Sequence, residues 1–327
     1  MNARISYIEY MMGRGIVQAF DKERRILNFT ENIDHAEMMR VIEVMCERYE
    51  GLAVTSLGKS ILGREIPMLQ LGNGRKKVLY IGAHHGMEGM TAALLLRFVN
   101  EYFELCRTGS VVDRVPVRAL NEARSIFVVP MLNPDGIEYA LNGIGEENPM
   151  RERVLSMNDG NADLSRWQAN ARGVDLNHNY NAGFETYKQL EGELGIVGGG
   201  PTRYSGEYPE SEPEVAYLCN FIRFTGDFSL ALSLHTQGEE IYYTSGGYCP
   251  ENAERIGRYI AGLCDYRLAK PDGPAAYGGF TDWFIKEFDQ PSFTVECGRG
   301  ENPLPFSDFP MTYLRVRKML FMAPMLI

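Results

Sequence analysis

Short apolar segments of strand type alternate with longer segments of helical periodicity along this chain. Residues 77–82 read as a strand, residues 90–105 follow as a helix, and residues 125–130 read as a buried strand. Such alternation is typical of helices packed against a largely parallel sheet. The chain is therefore predicted to form a single α/β domain with a mixed, mostly parallel central β-sheet flanked by helices.

The N-terminal third contains a predicted helix and a predicted hairpin. Residues 34–49 carry apolar side chains at helical spacing, so we expect an amphipathic helix there. Residues 64–71 and 77–82 are both strand-like and are joined through the glycine-rich residues 72–74. This short connection predicts that the two strands pair with each other.

Turn and loop signals divide the rest of the chain. The Asn-Pro-Asp-Gly sequence at residues 133–136 predicts a turn. Residues 141–200 are polar and weakly periodic, and predict a long irregular excursion that carries functional loops. A helix is expected to start after Ser211, which would cap it, with Pro213 in its first turn and Glu214 three residues after the cap.

Composition limits the classes of partner and compartment. The 327 residues are 45% hydrophobic, enough for one sizeable core, and we expect a helical lead-in over residues 1–50 and a catalytic core over residues 51–327. A net charge of −10 argues against a nucleic-acid partner. No signal-peptide or membrane-spanning pattern is present, which predicts a cytoplasmic protein, and six cysteines without a CxxC pair predict free thiols. The oligomeric state is left open.

Two histidines and two glutamates stand where strands are predicted to end. His85 and Glu88 lie three residues apart at a strand-to-helix junction, and His235 ends another strand. Zinc in hydrolases usually keeps three protein ligands, and a His2Glu set is one of them, so these residues are candidate metal ligands. His84 is the alternative first ligand. Glu296, at a further strand end, is a candidate base for a metal-bound water.

Segments of this sequence resemble, in order, the zinc carboxypeptidase family, whose members include carboxypeptidase A and bacterial γ-D-glutamyl-diamino acid peptidases. One segment resembles the opening strand of that family, one its first metal motif, two its turn and substrate loop, and three its helix start, third-ligand strand and catalytic-glutamate strand. In the same order, these segments are residues 57–66, 82–88, 130–136, 173–177, 211–214, 233–235 and 293–296.

The resemblance implies a zinc-dependent peptidase with one Zn²⁺ per chain. It implies that His85, Glu88 and His235 bind the metal. It also implies that Glu296 takes a proton from the zinc-bound water and passes it to the leaving amine. An arginine would stabilise the oxyanion, and we assign this role to Arg172, with Arg166 as the alternative.

The resemblance also implies four substrate-binding residues. Asn177 would donate hydrogen bonds, but His178 stands where typical family members use an arginine to clamp a C-terminal carboxylate, so that clamp is in doubt. Tyr277 is the candidate capping tyrosine. Asp282 resembles an acidic residue at the pocket base that could pair with a basic or diamino side chain, and Arg299 is a further candidate for a substrate carboxylate.

Three functions fit these residues. The leading hypothesis is a peptidase acting on small murein-derived peptides such as those containing γ-D-glutamyl-diaminopimelate. A zinc amidohydrolase that deacylates N-acyl amino acids is the second. An inactive homologue that only binds substrate is the third, although the intact Glu296 argues against it.

Overall fold

The first described helix confirms the amphipathic pattern near the N-terminus. The computed structural model describes Phe29 and residues 31–327, so most of the predicted lead-in over residues 1–50 lies outside the described residues. Helix α1 covers His35–Arg48, and the Asp34 side chain caps it by accepting a hydrogen bond from the backbone N–H of Glu37. Its buried side chains recur at helical spacing and pack into the core.

Ten helices and ten strands make up the described part of the chain. After α1 the elements are β1 Ala53–Lys59, β2 Glu65–Leu71, β3 Lys76–Ile81, α2 Met90–Thr108, β4 Val111–Val112, β5 Val115–Pro116, α3 Val117–Ala123, β6 Arg124–Val129, α4 Pro134–Asn142, α5 Arg151–Met157, α6 Phe184–Glu193, α7 Pro213–Thr225, β7 Phe228–His235, β8 Glu240–Tyr242, α8 Ala253–Cys264, β9 Arg267–Ala269, α9 Phe280–Phe288, β10 Ser292–Glu296 and α10 Phe309–Met322. Single 3₁₀ turns occur at Gly86–Glu88, Leu176–His178, Gly273–Ala276, Phe306–Asp308 and Ala323–Leu326.

Eight of the strands form one mixed sheet in the order β1-β2-β6-β3-β7-β10-β8-β9. The four strands β6, β3, β7 and β10 at its centre run parallel, which confirms the predicted fold class. The predicted hairpin between β2 and β3 is wrong, because β6 lies between them and pairs with both. The hairpin partner of β2 is instead β1, so residues 57–66 cover the end of β1, the turn and the start of β2 rather than one strand.

Two further local predictions need correction. The Asn-Pro-Asp-Gly segment does not form an isolated turn, because Asn133 caps α4 by accepting from the Gly136 N–H and Pro134 begins the helix. Ser211 does not cap α7. The hydroxyl of Ser211 donates to the carboxylate of Glu212, the residue that stands at the cap position. Residues 141–200 are largely irregular as expected, but they also contain α5 and α6.

Helices cover both faces of the sheet, so its central strands are apolar on both sides. In β3, Val78 and Tyr80 pack into the core under α2, α8 and α10, while Leu79 and Ile81 pack into the core under α7 and α9. All six cysteines are free, as predicted. Among the described residues, no helix is both long and apolar enough to cross a bilayer.

The parallel strands carry the candidate site residues to one edge of the sheet. Strands β7 and β10 are in register so that His235 lies beside Glu296, and β3 ends next to them with Ile81 paired to Ser233. The chain then continues from β3 into the 3₁₀ turn that carries Glu88. Carboxyl ends of parallel strands are where open α/β sheets bind ligands.

Candidate metal centre and active site

Two imidazoles and one carboxylate converge at this edge of the sheet. His85, Glu88 and His235 offer ligand atoms that all lie within 4.8 Å of one another. Glu88 Oε1 is 2.8 Å from His85 Nδ1, and Glu88 Oε2 is 3.1 Å from His235 Nδ1. All three residues are buried, so their donor atoms point at one another rather than at solvent.

Each imidazole is held on its far side by another residue. His85 Nε2 lies 3.1 Å from Asp175 Oδ1, and His235 Nε2 lies 3.1 Å from Ser233 Oγ. These contacts leave both Nδ1 atoms facing the shared point beside Glu88. Partners of this kind fix the orientation and tautomer of metal-binding histidines.

His84, the alternative ligand, lies behind this group rather than in it. Its two ring nitrogens contact Ser233 Oγ at 3.2 Å and the Tyr180 hydroxyl at 2.9 Å. The ring of His84 stacks on that of His235. Burial lowers the pKa of His84 well below its usual value, so it packs as a neutral ring that supports His235.

Charge pairing dominates the electrostatics of the three converging residues. Burial alone would lower the pKa of His85, but the charges of Glu88 and Asp175 outweigh it and hold that pKa well above its usual value. Burial opposes ionisation of Glu88, yet the two histidines lower its pKa to about 2. The protein thus concentrates negative charge where a cation would bind.

Glu296 lies in the same cavity, whose volume is about 200 Å³. Burial, and then the charge of Glu88, raises the pKa of Glu296 to about 8 in the protein alone. A bound divalent cation would lower that pKa, because it favours the charged carboxylate. A carboxyl group tuned in this way can accept and return a proton near neutral pH.

The cavity contains acidic groups and histidines, but no lysine or arginine of the described residues. Asp282, in the first turn of α9, lines it, and Asp282 Oδ2 accepts a hydrogen bond of 3.2 Å from the Gly279 N–H. Asp282 Oδ1 is buried without a hydrogen-bond partner in the described residues. Burial raises the pKa of Asp282 to about 7, although the nearby Ser245 hydroxyl opposes the rise.

Asn177 and His178 line the cavity from the loop before α6. Asn177 Oδ1 accepts from the Phe280 N–H at 3.0 Å, which ties the loop to the start of α9. His178 stacks on Tyr187 with ring centroids 3.9 Å apart, and its Nδ1 lies 3.1 Å from the Tyr277 carbonyl oxygen. Burial lowers the pKa of His178, so this position holds a neutral ring where a clamp would need a cation.

The structure keeps Tyr277 and three arginines out of this cavity. Tyr277 contacts His178 through its carbonyl oxygen, as above. Arg172 Nε lies 3.2 Å from Glu212 Oε2, and Arg166 is an exposed partner of Glu301. Arg299 is also exposed and faces Glu239. Neither Arg172 nor Arg166 lines this cavity, but Arg166 lines an adjoining cavity together with His85 and Gln168, and the oxyanion role of these arginines stays a prediction.

The sequence of residues 38–318 matches the zinc carboxypeptidase family. This chain belongs to that family. It is 31% identical over 88% of its length to a γ-D-glutamyl-L-diamino acid endopeptidase of Lysinibacillus sphaericus and covers 71% of that protein. It is therefore a zinc metallopeptidase.

Solved structures support the same fold. The carboxypeptidase A of Helicoverpa armigera superposes with a TM-score of 0.69 at 19% identity, covering 94% of this chain and 80% of that one. The murein-tripeptide amidase MpaA of Escherichia coli O157 superposes with a TM-score of 0.52 at 20% identity, covering 82% of this chain and 91% of that one. At such identities the likeness establishes the fold alone.

The donor set suits the metal of the family. Two imidazole nitrogens and a carboxylate oxygen are a known three-ligand set of catalytic zinc, which keeps a fourth position for water or substrate. The Nδ1 atoms of His85 and His235 lie 3.3 Å apart, and a cation between them would satisfy both lone pairs.

The sequence alone predicts no role for two residues of this metallopeptidase. Asp175 was read only as part of a substrate-loop segment, although its carboxylate contacts His85. Gln168 lines the cavity beside the metal centre but stands in a weakly periodic segment, where one amide side chain gives no signal. Partners of these kinds become visible only when the fold brings distant loops together.

Proposed function

We propose that this zinc carboxypeptidase hydrolyses an amide bond in small murein-derived peptides in which a γ-D-glutamyl group is joined to a diamino acid. His85, Glu88 and His235 would bind the zinc, and Glu296 would act as the base. The substrate assignment depends on Asp282 Oδ1. This oxygen is buried without a hydrogen-bond partner among the described residues, in a cavity that none of their lysines or arginines lines.

The charges of the cavity support a substrate with an amino group. A C-terminal carboxylate bound inside this cavity would need a cation, but the family's clamp position holds the neutral His178, so the C-terminal carboxylate of the proposed substrate would lie outside the cavity. An ammonium group would supply the missing partner of Asp282 and relieve an unfavourable buried carboxylate. The name of the Lysinibacillus relative, a γ-D-glutamyl-L-diamino acid endopeptidase, supports the same substrate class.

The reaction needs a base and an exit for the proton. Bound zinc supplies a Lewis acid and lowers the pKa of water. Glu296 stands at the end of β10 beside His235, where its carboxylate would accept a proton from the attacking water and return it to the leaving amine. The free thiols favour a reducing compartment, so we further propose that the enzyme works in the cytoplasm.

Matched tripeptides test the substrate class. We expect the zinc-loaded enzyme to cleave L-Ala-γ-D-Glu-L-Lys and its meso-diaminopimelate counterpart. The norleucine analogue differs from the lysine peptide only in lacking the terminal ammonium group, and we expect its kcat/KM to be at least about tenfold lower, the effect of one lost buried ion pair. Equal cleavage of the lysine and norleucine peptides would show that Asp282 does not bind the ammonium group of the substrate. Cleavage of N-acyl amino acids alone would favour the deacylase.

A pair of glutamates tests the base. Glu296→Gln keeps the size of the side chain but cannot accept the proton, and we expect kcat to fall by about 10²–10⁴-fold with zinc content unchanged. Glu240 lies opposite Glu296 on β8 and forms an ion pair with Arg267, so Glu240→Gln is the matched control and should retain activity. Full activity in Glu296→Gln would exclude Glu296 as the base.

A further inference from the structure

No lysine or arginine of the described residues lines the cavity, yet peptide hydrolysis creates a negative charge on the oxygen of the scissile carbonyl. Among the described residues the cavity lining contains two amide side chains, Asn177 and Gln168. The Oδ1 of Asn177 accepts from the N–H of Phe280, the first residue of α9, so Asn177 is tied to α9 rather than to the metal motif. Gln168 is the amide whose backbone is hydrogen-bonded to Gly86 of the metal motif, and it also lines a second, adjoining cavity with His85, which Arg166 and Arg203 line as well.

The backbone of Gln168 is fixed directly to the metal motif. Its carbonyl oxygen accepts a hydrogen bond of 2.9 Å from the N–H of Gly86, the residue between His85 and Met87. The same oxygen accepts from Asn133 Nδ2 at 3.2 Å, and the Gln168 N–H donates to the Pro201 carbonyl at 2.9 Å. Three hydrogen bonds therefore set the position of Gln168 relative to His85.

The side chain of Gln168 is oriented by one further contact. The Thr202 hydroxyl donates a hydrogen bond to Gln168 Oε1. The amide nitrogen Nε2 has no hydrogen-bond partner within the described part of the chain, so both of its protons remain available. Holding the acceptor end in place leaves the donor end free to meet a ligand.

We propose that Gln168 Nε2 is the oxyanion donor of this enzyme, a neutral amide in place of an arginine. The inference rests on the proposed peptidase function. Water oxygen bonds to the scissile carbonyl carbon, its proton goes to Glu296, and the carbonyl π pair moves to the oxygen. Gln168 donates a hydrogen bond to that oxygen and transfers no proton. The carbonyl reforms as the C–N bond breaks, and the amine takes the proton from Glu296.

The test compares a tetrahedral ligand with a planar one. The tetrahedral ligand is the phosphinic isostere of L-Ala-γ-D-Glu-L-Lys, titrated by calorimetry into the zinc-loaded wild type and into Gln168→Met, which matches the size of glutamine but has no N–H donor. The planar ligand is the intact tripeptide, titrated into the same two proteins on a Glu296→Gln background so that it is not cleaved. Gln70→Met, in β2, is the control for replacing a glutamine.

A donor that acts on the oxyanion affects the two ligands differently. We expect Gln168→Met to lower kcat/KM and the affinity for the phosphinic ligand by about 10²–10³-fold each, with less than about threefold change for the planar tripeptide and with zinc content unchanged. Equal weakening of both ligands, or no change in either, would overturn the proposal while leaving the peptidase function intact. If the wild type binds neither ligand and cleaves no tripeptide, both the proposed function and the role of Gln168 are wrong.

Discussion

The Nδ1 atoms of His85 and His235 face each other at 3.3 Å, although the two residues are 150 positions apart in sequence. Each ring is held from behind, His85 by Asp175 and His235 by Ser233. Glu88 reaches both Nδ1 atoms through its two oxygens. Two nitrogen lone pairs and a carboxylate cannot share a buried point without a proton or a cation, so this arrangement prepares a metal site.

Removing a ligand and removing its support should have different effects. We expect about one zinc per chain in the wild type and almost none in His85→Ala, measured by elemental analysis after dialysis. Ser233→Ala removes the contact that orients His235, together with the contact to His84 behind it, so zinc affinity should fall by about 10–100-fold without loss of the site. Full zinc occupancy in His85→Ala would contradict the ligand assignment.

The pKa of Asp282 predicts a pH-dependent affinity. Burial raises that pKa to about 7, so the carboxylate becomes ionised as the pH rises through 7. The affinity for L-Ala-γ-D-Glu-L-Lys should therefore increase about tenfold from pH 6 to pH 8. Calorimetry on the Glu296→Gln background removes both cleavage and the titration of Glu296. Asp282→Asn should bind weakly at all pH values, and a flat profile with Asp282 intact would show that it does not bind the ammonium group.

The strand-end residues were predictable because their pattern is local. Apolar runs that end on His235 and Glu296 indicate strands by themselves, and parallel strands place such ends together. The order of strands in the sheet depends on segments that are distant in sequence. The hairpin predicted between residues 64–71 and 77–82 is therefore wrong, because β6 lies between the two strands and pairs with both. Cavity contacts such as that of Gln168 with Thr202 join loops 34 residues apart and leave no periodic signal.

The raised pKa of Glu214 predicts that the free energy of unfolding falls as the pH rises. This residue is fully buried at the start of α7, and burial, followed by the charges of Asp135 and Glu212, raises its pKa to about 8. The folded chain keeps this proton until about pH 8, whereas the unfolded chain releases it near the usual glutamate pKa, 4.5. The folded state binds more protons between these values, so the free energy of unfolding contributed by Glu214 falls over that window.

Glu214→Gln should remove that fall. By urea denaturation, the free energy of unfolding of the variant relative to wild type should rise between pH 5 and pH 8 by on the order of a few kcal/mol. The amide can still accept from the Ile61 N–H, which lies 3.3 Å from Glu214 Oε1. Glu147→Gln, in an exposed loop, is the control and should shift little. A pH-independent difference for Glu214→Gln would mean that this residue is ionised in the folded protein.

Two glycines of the metal motif should respond in opposite ways to the same substitution. A Cβ at Gly86 would lie 2.3 Å from the Gly136 carbonyl oxygen and 2.7 Å from that of Trp167, and both are backbone atoms that cannot turn aside. Gly86→Ala should therefore push the Trp167 segment away from His85. We expect a loss of about 1–3 kcal/mol in the free energy of unfolding, measured by urea denaturation, together with weaker zinc binding.

Gly89, three residues later, is the matched control for Gly86. Its φ is −55°, and the nearest atom to an added Cβ is the flexible Ile137 Cδ1 at 3.3 Å. Gly89→Ala should be neutral or raise the free energy of unfolding by about 0.4–1 kcal/mol, because alanine restricts the unfolded chain. Equal effects of the two substitutions would show that the close approach of Gly86 to residues 136 and 167 does not hold the metal motif in place. A loss of stability and of zinc binding in Gly86→Ala alone would show that zinc binding requires the tight packing beneath His85.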